Sequence, residues 1–305
     1  MKKTLLTLVL LVMVMTVGAQ SVKVDYHKGD VRMYKTNVSL SMGIPMQGEQ
    51  KCGLTAATTY TVDEAGADGY IVELKADDYS TTGNTDLVNM VGGQFFETLK
   101  STPAKLKLDK KGAITGLANE DAFIAAISST VVEGINKMYA DRPGLESQMP
   151  KAKLLMAANS QLTPEFVLNF FKNFTVFSLN GRDLANVKNA DETIYDFFKV
   201  KSSYDVRSAN GTTTITRTAV SNMTDDDLKG ILKKQMSQAG QDVDDTQLEQ
   251  IWGQLKAMGM TSCTIDMNDV SNFGNGGWQS SANTKATIKA IGATIKVNAT
   301  TSLAQ

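Results

Sequence analysis

Apolar and polar residues alternate with a period of two along the first part of the chain. Tyr34, Thr36, Val38, Leu40 and Met42 fall on one face of a strand. Cys52, Leu54, Ala56, Thr58, Tyr60 and Val62 do the same after a link, SMGIPMQGE, and Tyr70, Val72, Leu74 and Ala76 follow the turn DEAGADG. This period means one buried face and one wet face, the pattern of an antiparallel sheet. The period then changes. Leu87, Val88, Val91, Phe95 and Leu99 share a helical face over about 85–100. Ile124, Ile127, Val131, Ile135 and Met138 step by three and four over about 120–140, and Asp141-Arg142-Pro143-Gly144 ends that helix. Between the two, Leu106 and Leu108, the turn at Asp109 to Gly112 and Ile114 predict a short strand pair. Another helical stretch covers 145–158, and Thr163-Pro164 supplies an N-cap and a first-turn proline for a helix with Phe166, Val167, Phe170 and Phe171.

A second strand block covers about 174–221, with FTVFSL, TIYDFFKVK and a hairpin at Asn210-Gly211. Two helices follow. One starts at Thr224 with Asp225-Asp226-Asp227 at its positive end; the other carries Leu248, Ile251, Trp252, Leu255 and Met258 and stops at Gly259. Cys263, Ile265 and Met267 open a last block, with strands at 279–290 and 293–303. Runs of strands separated by runs of helices predict an α+β fold, not a parallel α/β one. The expectation is a curved, mainly antiparallel β-sheet, half-barrel-like, with helices packed on its concave face, as one large domain over 20–305 with a possible two-lobed division near 160–180.

The first residues are an address. Lys2 and Lys3 precede an apolar run from Thr4 to Met15, and Val17-Gly18-Ala19 offers small residues for cleavage. These are the parts of a secretory signal peptide, 1–19. The run falls short of the roughly 20 residues that span a bilayer, and no later run approaches that length. The expected location is therefore the periplasm, the outer-membrane surface or the extracellular space. In such a compartment Cys52 and Cys263 could pair as a disulfide or stay as two buried thiols.

Charge and composition narrow the chemistry. Lys plus Arg number 31 against 32 Asp plus Glu, so there is no basic surplus for a nucleic-acid partner. One histidine, His27, and two cysteines give no zinc set, and no cofactor motif occurs. Gly-x-Ser-x-Gly is absent. Asp225 to Asp227 read as helix capping. Asp266, Asn268, Asp269 and Asn272 hold oxygen donors but miss the spacing of a calcium loop. What remains is apolar surface. Met42, Ile44 and Met46 surround an exposed link, and Phe95, Phe170 and Phe171 lie on helical faces. They are candidate ligand-binding residues for a lipid or acyl chain, with simple core packing as the competing reading. The alternatives are an envelope protein with a protein partner and no small ligand, and a carboxylate-dependent hydrolase.

"KGD-x-x-x-Y" at Lys28 to Tyr34, "LDKKG" at Leu108 to Gly112 and "IDMN…GGW" at Ile265 to Trp278 resemble secreted domain-of-unknown-function families of Bacteroides-type Gram-negative bacteria. The resemblance implies an exported β-rich chain and no particular activity. The general layout is also similar to periplasmic lipid-binding half-barrel carriers. Intact-mass measurement of secreted protein is expected to give a chain starting at Gln20; a chain starting at Met1 would refute the leader.

Overall fold

The computed structural model describes residues 22–304, apart from short stretches at 45–47, 85–87, 89–92, 149, 186, 195–197, 239–242 and 291. The described chain is α+β. Its eleven strands form one antiparallel sheet that does not close into a barrel. The first meander is β1 (Val31–Ile44), β2 (Gly48–Gly66), β3 (Gly69–Gly83), β4 (Ala104–Leu108) and β5 (Ile114–Leu117). The second is β6 (Ala190–Ile194), β7 (Phe198–Ala209), β8 (Thr212–Ser221), β9 (Cys263–Phe273), β10 (Gln279–Ala290) and β11 (Ala293–Leu303). The order across the sheet is β5-β4-β3-β2-β1-β11-β10-β9-β8-β7-β6. The first and last strands are thus neighbours in the middle, and β5 and β6 are the two edges.

The strands keep the phase that the sequence predicts. In β2, Cys52, Leu54, Ala56, Thr58, Tyr60 and Val62 are buried and the residues between them are not. Asn210 and Gly211 join β7 to β8 with φ of 52° and 77°, the left-handed pair of a tight hairpin turn. Two segments depart from expectation. FTVFSL is not a strand: it ends a helix and continues as turns, with the Ser178 N–H donating to Thr175 O and the Asn180 N–H to Phe177 O. Those turns push Val176 and Phe177 into the core, which an edge strand here could not do. TIYDFFKVK is two strands, since β6 and β7 pair as a hairpin with Ile194 opposite Phe198.

Helices α1 (Gly93–Ser101), α2 (Glu120–Asp141), α3 (Leu145–Gln148), α4 (Lys151–Gln161) and α5 (Pro164–Phe174) occupy the connections within and after the first meander. The Thr163 hydroxyl accepts the Phe166 N–H and Pro164 opens α5, as the sequence signals. α1 packs on β3, α2 on β4 and α5 on β5, so this helical layer lies over one end of the sheet. Phe123, Ile127, Val167 and Phe171 are fully buried there against Val72 and Leu106. Removing one such side chain from water is worth about 1.5–3 kcal/mol. Helices α6 (Asp225–Gln238) and α7 (Asp245–Ala257) form a hairpin between β8 and β9. Thr224 and Asp227 cap α6 reciprocally, and Lys199 Nζ lies 2.5 Å from Asp227 Oδ1, which accounts for that acidic run.

The chain ahead of β1 is held by the turn after β9. The Asp25 N–H donates to Gly276 O and the Tyr26 hydroxyl to Gly277 O. Tyr26 also accepts from Asn180 Nδ2 at 2.7 Å and packs against Trp278, with centroids 4.5 Å apart. Gly277 has φ +80°, and a Cβ there would lie 2.7 Å from Lys23 O. Gly277→Ala is therefore expected to cost on the order of 1–3 kcal/mol or more, read as a lower urea midpoint with an unchanged slope; an unaltered midpoint would contradict this packing.

Candidate functional site

Antiparallel register turns the buried face into rows of side chains lying directly opposite one another across the strands. Their composition changes in order along the strands. One row joins Ile265, Ile288, Ile295 and Met42 through β9, β10, β11 and β1. The next joins Ala219, Met267, Ala286, Val297, Leu40 and Cys52 through β8 to β2. These two rows are apolar throughout. The third joins Tyr204, Arg217, Asp269, Thr284, Ala299 and Val38. It is charged at the β7–β9 end and small or apolar in the centre. In a fourth row Thr36 and Thr301 face each other, with hydroxyls 3.0 Å apart.

The outer strands of the apolar rows are buried: Ile265, Met267, Ala286 and Ile288 pack with Val200, Phe198 and Ile194. In the centre, on β1 and β11, Met42, Val38, Ile295, Val297 and Ala299 are only half-buried. The apolar floor is thus partly exposed at Met42, Ile295 and Val297, which pack against the buried cluster of Leu40, Cys52 and Val88. On the opposite face, a groove of about 280 Å³ is lined by the polar Asn37, Ser39, Thr55, Ser80, Thr82 and Asn298, with Val38, Gly53 and Leu54 at its floor.

The charged end of the third row is a network. Arg217 Nη2 donates to Glu192 Oε2 at 2.7 Å and Nε to Ser202 Oγ at 3.2 Å. Its Nη1 stands 3.6 Å from Asp269 Oδ2, beyond hydrogen-bond length. Arg182 donates to Glu192 and, at 3.1 Å, to the Tyr204 hydroxyl, which itself donates to Glu192 Oε1 at 2.8 Å. The side chains of Arg217, Glu192 and Asp269 are 14%, 16% and 17% exposed, so these charges sit largely out of water. The two carboxyls respond oppositely. Burial works to raise the Glu192 pKa, but bonds from Ser202 and Tyr204 and the charges of Arg217 and Arg182 overcome it and hold the group down to about 2. Asp269 is raised by its burial, which a Thr284 hydroxyl bond and Arg217 only partly oppose. Asp269 Oδ1 is buried without a hydrogen-bond partner.

The candidates named from sequence fall in two places. Met42 belongs to the apolar rows, beside Leu40, Cys52 and Val88. Ile44 is the last residue of β1 and its side chain, like all of Met46, lies outside the described residues. Phe95, Phe170 and Phe171 come together at the other end, under the helices. Phe95 stacks on Phe170 with centroids 3.6 Å apart and meets Phe171 edge-on at 6.1 Å. Cys52 and Cys263 are free thiols. They lie on β2 and β9, four strand spacings or roughly 19 Å apart along the sheet, too far for a bridge. Strand alternation also separates Asp266 and Asn268 from Asp269, so these donors do not converge on one ion. His27 is an exposed turn residue beside Asp25 and Asp30.

Ile295, Val297, Arg217 and Glu192 were not singled out from sequence, and Asp269 only as one oxygen donor of a segment that misses the spacing of a calcium loop. For the charges a signal existed: Arg217 is in phase with Ile215 and Ala219, Asp269 with Ile265 and Met267, and Glu192 with Ile194, so each is a charge at a buried-face position.

The network makes a signed prediction. Glu192 has a depressed folded pKa, so its contribution is present above the ordinary carboxylate range and is lost as pH falls through about 2. Asp269 is raised, so its contribution is favourable in acid and is lost as pH rises. Glu192→Gln is expected to cost about 3 kcal/mol at pH 7, and Asp269→Asn to stabilise at the same pH. Urea titrations at pH 7 and pH 4 check both; equal effects of the two variants would contradict the assignment.

No family model and no curated protein matches the sequence, so the likeness to secreted families of unknown function gains no match. Among solved structures, the chain is similar in part to lipovitellin, reported for its lipid–protein interactions, with a TM-score of 0.44 and 11% identity over 92% of this chain. It spans 26% of the lipovitellin chain, about a quarter. DynF of the dynemicin biosynthesis pathway of Micromonospora chersina aligns with a TM-score of 0.21 and 5% identity over 90% of this chain and 81% of that one. Likenesses this distant carry no functional weight.

Proposed function

We propose that this protein is an exported, non-enzymatic binder of an apolar or amphipathic ligand, held on the inner face of the sheet rather than under the helical layer. The observation that carries the reading is the pair of apolar rows, one from β9 to β1 and one from β8 to β2, buried over most of their length and half-buried at Met42, Ile295 and Val297. An apolar surface that is continuous across strands and reachable at its centre suits an extended acyl chain. The helical end lacks that property, because Phe95, Phe170, Phe171 and Phe123 fill it with one another. A hydrolase reading finds no support in the carboxyls, since the Arg217 guanidinium lies between Glu192 and Asp269 and pairs with both.

The test is denaturing extraction of the secreted protein, followed by lipid mass spectrometry and a thermal-shift panel of fatty acids and phospholipids. A bound lipid or a rise in Tm of several degrees is expected. Val297→Lys, a charge at the half-buried centre of the rows, is expected to abolish the shift while the protein stays folded. No extracted lipid and no shift with any member of the panel would refute the reading.

A further inference from the structure

We infer that the ligand on this face is a single-chain carboxylic acid, with its head held between Arg217 and Asp269 and its chain lying along the apolar rows. The inference rests on the proposed binding face and specifies its occupant.

The rows supply the two ends that such a molecule needs. Along β8, Arg217 precedes Ala219; along β9, Asp269 follows Met267; along β10, Thr284 precedes Ala286. Each polar group is therefore one same-face step from the Ala219-Met267-Ala286-Val297-Leu40 row. From Met267 that row runs across β10, β11 and β1 to β2, roughly 19 Å of apolar side chains at about 4.8 Å per strand, buried except at Val297. A chain with its head at Asp269 would follow the row toward the half-buried centre, where solvent gives it entry.

The head-group chemistry follows from what the network leaves unmade. Arg217 spends Nη2 on Glu192 and Nε on Ser202, while Nη1 has only the 3.6 Å approach to Asp269. Asp269 Oδ1 is buried and unpartnered. Among the described residues, the other polar groups turned toward this point are engaged: Glu192 from β6 with both arginines, Tyr204 from β7 with Glu192, and Arg182 from the connection before β6 with Glu192 and Tyr204. An incoming carboxylate would accept a charge-assisted bond from Arg217 Nη1 and, on its second oxygen, would share one proton with Asp269, whose buried Oδ1 has no other partner. Arg182, Arg217 and Glu192 sum to one positive charge, which the single negative charge of two carboxyls sharing one proton cancels. A phosphate carrying two charges would overshoot.

The experiment uses the full secreted chain, stripped of endogenous lipid, and titrates it with hexadecanoate, methyl hexadecanoate and hexadecyl phosphate at pH 7. The wild type is expected to prefer hexadecanoate to the ester by about tenfold or more, the usual size of a charge-assisted bond. Arg217→Gln is expected to erase that preference while ester binding persists, which also shows that the variant folds. Asp269→Asn supplies a permanent donor and removes the competing anion; it is expected to tighten hexadecanoate several-fold and leave the ester unchanged. Equal binding of acid and ester by the wild type, a preference for the phosphate, or a preference that survives Arg217→Gln would overturn the head-group assignment and leave the apolar face standing. Failure of all three probes to bind would overturn both.

Discussion

The pairing of β1 with β11 is the constraint on which the rest depends. It joins the two ends of the chain over ten residue pairs, from Tyr34 opposite Leu303 to Gly43 opposite Thr294. Every other strand neighbour is also a sequence neighbour, so each meander could form from local hairpins. Only this seam makes one sheet of the two. The Thr36–Thr301 hydroxyl contact spans 265 positions, and closing so long a loop repays its entropy only when many pairs form together. The seam also sets the rows. A slip of one residue at β1–β11 would turn Val38, Leu40 and Met42 to the wet face and break the apolar floor in its middle.

The two ends of the inner face then serve different purposes. Over β3 to β5, α1, α2 and α5 bring aromatic rings that interlock: Phe171 meets both Phe95 and Phe123 edge-on. A packed core of this kind supplies stability and leaves no room for a guest. At the seam, the smaller inner side chains Val38, Ala299, Val297 and Thr36 remain half-buried between the buried Tyr34 and Leu40. Stability is concentrated at one end and accessibility at the centre of the same surface. The clamp of Tyr26, Trp278 and Asn180 ties the chain before β1 to the turn after β9, and so steadies the strand ends around the seam.

Much of this could be read from the sequence because strand phase is a local property. The inner positions of β1 and β2, the Asn210-Gly211 turn and the bounds of β10 and β11 follow from alternation and turn chemistry alone. Strand order does not. Nothing local says that Val38 lies opposite Ala299, so the half-buried rows were invisible and the large aromatic residues drew the eye instead. Phe95, Phe170 and Phe171 stand out in the sequence, and the structure packs them on one another. FTVFSL misled for a related reason. Its residues favour strands, yet the Thr175 hydroxyl bonds back to Phe171 O and turns carry the adjacent Val176 and Phe177 inward together, so tertiary packing overrode strand propensity.

Charges at buried-face positions were the legible trace of the site, and their cost explains why they bear on function. A valine or threonine at 217 or 269 would extend the apolar rows without desolvating any charge. Replacing buried ion pairs by apolar residues is often neutral or stabilising, by about 1–4 kcal/mol. A buried carboxyl oxygen with no partner costs about 1–3 kcal/mol more. Stability alone therefore does not account for Arg217 and Asp269 together. Glu192 is different: four donors hold it ionised, and it anchors both arginines in place. The network thus has a satisfied half that fixes geometry and an unsatisfied half that faces the apolar rows. A carboxylate seated there would complete the second half without disturbing the first.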